Sequence, residues 1–148
     1  MIQVLCDFSY LAHRAYHAMR GLQHEDIQTG VLYGFFETLR TICFDSRIRS
    51  NQVHLFIDSR QSYRKRSFPN YKRKRHEDKT PEEIQQSQEL HKQMDLLVDE
   101  VLPTIGFPIY RQTGLESDDL IASAAIDINA TSVPNDPIKA VVLSLIHI

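Results

Sequence analysis

Cysteine, glycine and long hydrophobic runs are all scarce in this chain of 148 residues. The two cysteines, Cys6 and Cys43, are too few for a disulfide scaffold and form no CxxC pair, so they read as small buried hydrophobes rather than catalytic thiols. Five glycines beside a 42% hydrophobic content exclude collagen-like and disordered classes. No apolar run reaches the roughly 18 residues of a membrane span. The N-terminus has no basic region leading into an apolar stretch and a cleavage site. These absences leave one folded domain with a single core, expected in the cytoplasm and away from membranes.

Net charge is −2, and its distribution says more than its sign. Residues 60–79 hold nine of the seventeen lysines and arginines against two acids, Glu77 and Asp78. That window is +7 and the remainder −9, which sets a phosphate-binding element beside a body rich in carboxylates.

Residues 2–6 and 53–57 are short, nearly continuous apolar runs ending at Asp7 and Asp58, and both read as buried parallel strands. Between them Leu11, Ala12, Ala15 and Met19, then Leu32, Phe35, Phe36, Leu39 and Ile42, recur at helical spacing and predict the two helices of a crossover. Thr80, Pro81 and Glu83 predict a helix start with an N-cap, a first-turn proline and a capping-box glutamate. Its stripe of Ile84, Leu90, Met94, Leu97, Val98 and Val101 is expected to stop at Pro103. Residues 107–110 predict a short strand, placed at an edge by Pro108. Residues 118–128 predict a helix, 130–137 a surface loop and 138–143 a further strand. With no internal repeat, this alternation makes the fold class α/β, a mostly parallel central sheet with helices on both faces. The last six residues, 143–148, could be encoded by a transposon-end adapter used in library preparation and are set aside as a non-native tail.

In open parallel sheets ligands gather beyond the carboxyl ends of the strands, where Asp7 and Asp58 stand. A helix start at Glu116, Ser117, Asp118 and Asp119 adds three carboxylates in four residues, with Glu116 and Asp119 three apart on one face. Each alone has a plain explanation: an aspartate after a strand commonly caps a helix, and acids in a first turn favour the helix dipole. Their conjunction points to one cleft of five acids, which is unfavourable unless cations hold them. Oxygen-only ligation favours Mg²⁺ or Mn²⁺ over zinc, and a pair of such ions suits phosphodiester hydrolysis. His13 and His17 lie four apart but have neither an HExxH motif nor a third ligand.

Residues 62–75 interleave cations with aromatics, a composition that grips single-stranded nucleic acid through phosphates and base stacking. A solvated basic loop would need no such aromatics.

Taken in order, these residues resemble the 5′ nucleases that include the N-terminal nuclease domain of bacterial DNA polymerase I, bacteriophage 5′ exonucleases and flap endonucleases. Residues 7–18 resemble the family's opening motif, with a metal-binding aspartate at Asp7 and a DNA-contacting arginine at Arg14. Thr29-Gly30 followed by Tyr33-Gly34-Phe35 resembles the next block, and Phe56-Ile57-Asp58 is similar to the strand carrying the second metal aspartate. Tyr63-Arg64, Tyr71-Lys72 and Arg75 fall where the family has its helical arch, here about residues 60–80. In that arch the lysine and arginine contact the scissile phosphate and the tyrosine stacks near it. Gly114-Leu115-Glu116-Ser117-Asp118-Asp119 resembles the Gly-x-Glu-Ala-Asp-Asp box, with Ser117 for alanine, and Phe8 replaces the glycine usual after the first aspartate.

The resemblance implies a PIN-like domain, of which residues 1–142 are the N-terminal part. It implies metal ligation by Asp7, Asp58, Glu116, Asp118 and Asp119, in a site whose later aspartates lie outside this sequence. Catalytic roles fall to Arg14, Lys72 and Arg75, and DNA contacts to Arg14, Tyr63, Arg64, Tyr71, Lys72 and Arg75. The substrate implied is DNA with 5′ ends or single-stranded flaps, and a polymerase domain in the full-length protein is compatible with it. Two other readings stay open: a non-catalytic DNA-binding module, and a nuclease of related fold acting on RNA.

Overall fold

Strands that are covered on both faces need apolar residues at nearly every position, and the runs after Met1 and before Asp58 have them at all but Gln3 and His54. The computed structural model describes residues 1–45, 47–68, 70–71, 79–133 and 138–143. In chain order these form β1 (Ile2–Asp7), α1 (Phe8–Ala18), a small hairpin of β2 (Gln23–His24) and β3 (Ile27–Gln28), and α2 (Gly30–Asp45). Then come β4 (Val53–Phe56), α3 (Tyr63–Ser67), α4 (Pro81–Leu96), α5 (Leu102–Ile105), β5 (Ile109–Tyr110), α6 (Ser117–Thr131) and β6 (Lys139–Leu143).

The main sheet runs β5-β4-β1-β6 with every neighbouring pair parallel, and Cys6 sits opposite both Leu55 and Leu143. Alternate residues divide the core. Val4, Cys6, Val53, Leu55 and Ile57 pack with α1, α2 and α4, whereas Leu5 and Phe56 pack with Ile121 of α6. The larger face is closed by Phe8 and Phe35, whose rings tilt together at 5.2 Å, a pairing worth about 1 kcal/mol beyond the area it buries. Close approach of α1 and α2 depends on Gly34, where a Cβ would fall 2.9 Å from that of Ala15.

The chain alternates as the pattern predicts, and β5 lies at the sheet edge. Pro108 precedes β5 and offers only its carbonyl, which accepts from Leu55 N at 2.9 Å. The start of α4 is a capping box: Thr80 N donates to Glu83 Oε2 at 2.7 Å, and Glu83 N to Thr80 Oγ1 at 3.3 Å.

Four features depart from expectation. Pro103 does not stop the helix; a π-helical turn at Leu97–Val101 carries it into α5, where the proline has a first-turn position that asks for no N–H. Ile84 is exposed rather than part of the buried stripe. The hairpin β2–β3 gave no apolar alternation to read. Helix α6 continues to Thr131, into the stretch expected as loop, while residues 134–137 and 144–148 lie outside the described residues.

Candidate active site

Asp7 is the last residue of β1 and the N-cap of α1, its Oδ1 accepting from Tyr10 N at 3.1 Å. Asp58 follows β4, and its Oδ1 accepts from Ser117 N at 2.7 Å, which ties the end of one strand to the start of α6. Burial lifts the Asp7 carboxyl above the usual range, and the charges of Asp58 and Asp118 lift it further. The Tyr10 N–H and the Ser117 hydroxyl act in the opposite direction. Asp7, Asp58 and Asp118 therefore share one electrostatic neighbourhood at the carboxyl ends of β1 and β4.

Glu116 and Asp119 are held differently. Arg64, projecting from α3, donates through Nη1 to Glu116 Oε2 at 2.9 Å and through Nη2 to Asp119 Oδ1 at 2.5 Å. The second oxygen of Asp119 accepts from Glu116 N at 3.1 Å, and Tyr71 OH donates to Glu116 Oε2 at 3.1 Å. Glu116 is 6% exposed, so these donors supply what water would otherwise supply. The Asp119 hydrogen bond, ahead of the Glu116 contact, raises the guanidinium's already high pKa.

A second set of contacts fixes α3 in place. Tyr63 N donates to Gly114 O at 2.8 Å, Ser59 N to Leu115 O at 3.0 Å, and Gly114 N to Ser59 Oγ at 3.0 Å. Gly114 has φ +92°, and a Cβ there would lie 2.3 Å from the Tyr63 ring, so only glycine admits both the turn and the ring. Above that ring the Arg66 guanidinium stands 5.1 Å from the centroid.

These elements border a cleft of about 1300 Å³. Asp7, Asp58, Glu116 and Asp118 line it; Asp119 does not. Arg14 of α1 lines the same cleft and makes no ion pair or hydrogen bond among the described residues. Tyr71 and Arg64 line the cleft too, the latter turned toward carboxylates, while Tyr63 lies outside it. Lys72 and Arg75 fall outside the described residues. Among those described, no three carboxylates, imidazoles or thiols are already drawn into a metal shell. Instead Asp7 and Asp58 are each anchored by a backbone N–H, and Glu116 and Asp119 by Arg64.

Sequence reasoning missed several contributors. Ser117 and Ser59 act through contacts across more than fifty residues and carry no local signal. Lys65 and Arg111 also line the cleft without partners among the described residues. The arginine clamp was invisible because Arg64 sits in a basic run whose composition points to phosphate.

The chain is 35% identical over 124 residues to DNA polymerase I of Treponema pallidum (strain Nichols), across 82% of this chain and 11% of that protein. With DNA polymerase I of Mycobacterium tuberculosis (strain ATCC 25618 / H37Rv) the identity is 30% over 125 residues, across 82% and 13%. The chain thus spans only a small part of the length of these relatives.

Among solved structures, the bacteriophage T5 D15 protein co-crystallised with metal ions superposes with a TM-score of 0.64 at 15% identity, covering 96% of this chain and 55% of that one. The T5 D15 flap endonuclease in a pseudo-enzyme-product complex with DNA and metal ions gives 0.64 at 13%, with the same coverage. These likenesses show a shared fold. The sequence profile described as 5′-3′ exonuclease, N-terminal resolvase-like domain, matches residues 3–142, and the chain belongs to that family.

Proposed function

We propose that this domain takes part in the hydrolysis of DNA phosphodiesters at 5′ ends and flaps, as a 5′-3′ exonuclease and flap endonuclease using two divalent ions. The observation that carries this reading is the cleft itself, lined by Asp7, Asp58 and Asp118 together with the cation Arg14, which has no partner among the described residues. Family membership and the likeness to a flap endonuclease seen with DNA and metal ions support it.

The donor set is all oxygen, which fits Mg²⁺ or Mn²⁺ better than zinc. When bound, such ions activate water and stabilise the leaving oxygen of the broken phosphodiester. Asp7, Asp58, Asp118 and Glu116 would hold them, and the raised pKa of Asp7 marks where added positive charge is most welcome. Arg14 neutralises phosphate in the cleft, and Lys72 and Arg75 of the arch add charge near the scissile group. Tyr71, at the cleft wall, is placed to stack on a base. Residues 1–148 alone are expected to turn over slowly, because the resemblance implies that part of the metal shell lies outside them. A full-length protein that also carries a polymerase domain would be in keeping with the polymerase relatives.

The test is Asp58→Asn in the full-length protein, with 5′-flap DNA and Mg²⁺. Cleavage should be abolished while circular dichroism and melting temperature stay near wild type. Turnover at the wild-type rate would sink the metal role of Asp58.

A further inference from the structure

Resting on that reading, the cleft geometry separates the five acids into two groups. Asp7 and Asp58 accept from backbone and hydroxyl donors, and Asp58 and Asp118 add their charge to that of Asp7. Asp119 does not line the cleft and spends both oxygens on protein donors, one on Arg64 and one on Glu116 N. Arg64 lines the cleft wall, and each of its terminal nitrogens donates to a carboxylate. Glu116 is the common partner: its backbone meets Asp119, and its side chain meets Arg64 and Tyr71.

We infer that Arg64 and Asp119 are positioning residues that act through Glu116, aiming its carboxylate at the metal-binding side of the cleft, and that neither touches metal or DNA. The planar fork of arginine suits this task, because one guanidinium bridges two carboxylates in fixed geometry where a lysine ammonium would contact them as a mobile point charge. Asp119 closes the unit by fixing the Glu116 backbone. The clamp also roots α3, at the base of the arch, on the start of α6, so that the residues that grip DNA and those that hold ions share one footing.

The full-length protein and its Arg64→Gln, Arg64→Lys, Asp119→Asn and Arg64→Gln/Asp119→Asn variants would be compared in three measurements: Mn²⁺ affinity by calorimetry, flap-DNA affinity across a salt series in Ca²⁺, and kcat at saturating DNA. Each single variant, Arg64→Lys included, should weaken Mn²⁺ binding by roughly tenfold, as loss of an outer partner of a metal ligand does. The double variant should be no weaker than the singles, since all break one unit. The flap-DNA salt slope should not change.

A salt slope flatter by about one phosphate contact in Arg64→Gln would make Arg64 a DNA contact and overturn the inference. Tighter Mn²⁺ binding in Arg64→Gln would show that the guanidinium competes with the ion, and would overturn it equally. Losses that multiply in the double variant would make Asp119 an independent ligand. Unchanged Mn²⁺ affinity with only a lower melting temperature would reduce the clamp to a structural tie. A wild-type protein that neither binds Mn²⁺ nor cleaves flaps defeats the proposed function itself, an outcome separate from all of these. Should Arg64→Gln fail to fold, Arg64→Lys and Asp119→Asn carry the same comparison.

Discussion

Cys6 shows how far burial alone can govern a side chain's chemistry. It is fully buried in β1, one residue from Asp7, and burial pushes its thiol pKa up to about 12, with nearby Cys43 and Asp7 adding to the effect. A thiol so placed stays protonated and unreactive, whereas half-buried Cys43 is raised chiefly by its own burial and remains reachable. Iodoacetamide at pH 8 should therefore label Cys43 slowly and Cys6 only on unfolding; comparable rates in the native protein would contradict the buried β1. His54 gives a pH test. Burial lowers its pKa below the ordinary 6.5, and its ring nitrogens meet Tyr110 OH at 3.1 Å and Gln3 Oε1 at 2.7 Å. Because the unfolded chain then binds the proton first, the stability His54 contributes is present above about pH 6.5 and lost as pH falls through the lowered folded value. Between pH 7.5 and 5.5 the melting temperature should drop, and His54→Gln should flatten that drop; equal slopes would rule out a buried neutral imidazole. Asp7 and Asp58 were legible in the sequence because each ends an apolar run that can only be a buried strand. Ser117 and Ser59 were not, since a serine's role depends on what the fold brings to it.

At the scale of elements, local signals were readable wherever the chain satisfies itself and unreadable wherever it is satisfied by a distant segment. The α4 capping box belongs to the first kind, being written within four residues. The start of α2 belongs to the second: its Val31 and Leu32 N–H groups are met at 3.0 and 3.4 Å by Oε1 of Gln93, a buried glutamine of α4 with no local mark of that task. The π-helical turn was equally hidden, because Pro103 read alone is a stop and only the widened turn before it lets the helix continue. The junction of α3 with the loop before α6 allows a direct test. Gly114→Ala would force a non-glycine residue to φ +92° and drive its Cβ into the Tyr63 ring. The conformational term alone should cost about 1–2 kcal/mol, and displacement of the ring adds to it. If the junction roots the arch as well as the carboxylates, flap cleavage should fall further than the lost stability explains at a temperature where the variant stays folded. Urea melts paired with single-turnover cleavage would show it, and a variant with wild-type stability would mean the Gly114 turn is not as described.

Across the whole molecule the charge asymmetry was open to reading, since net charge by segment is a sum that needs no fold, and it separated a +7 segment at residues 60–79, the expected arch, from a −9 body. What the sum could not show is that Arg64, counted with the arch, is held by carboxylates of the body. Asp58 and Asp118 still act on Asp7 as like charges, and a divalent ion entering among them should stabilise the native state selectively. Binding to the folded state alone contributes RT ln(1 + [ion]/Kd), about 1.4 kcal/mol at ten times Kd. For a domain of this size that is roughly 3–6 °C in melting temperature. Ca²⁺ is the better probe, because a shift measured without turnover reports binding and not chemistry. Asp58→Asn should lose most of the shift, because it removes a charge from the group that repels. Lys65→Ala, on the cleft wall but with no carboxylate partner among the described residues, should keep it. A wild-type protein whose melting temperature does not move at millimolar Ca²⁺, Mg²⁺ or Mn²⁺ would show that these acids are held apart by their separate anchors and do not converge on an ion.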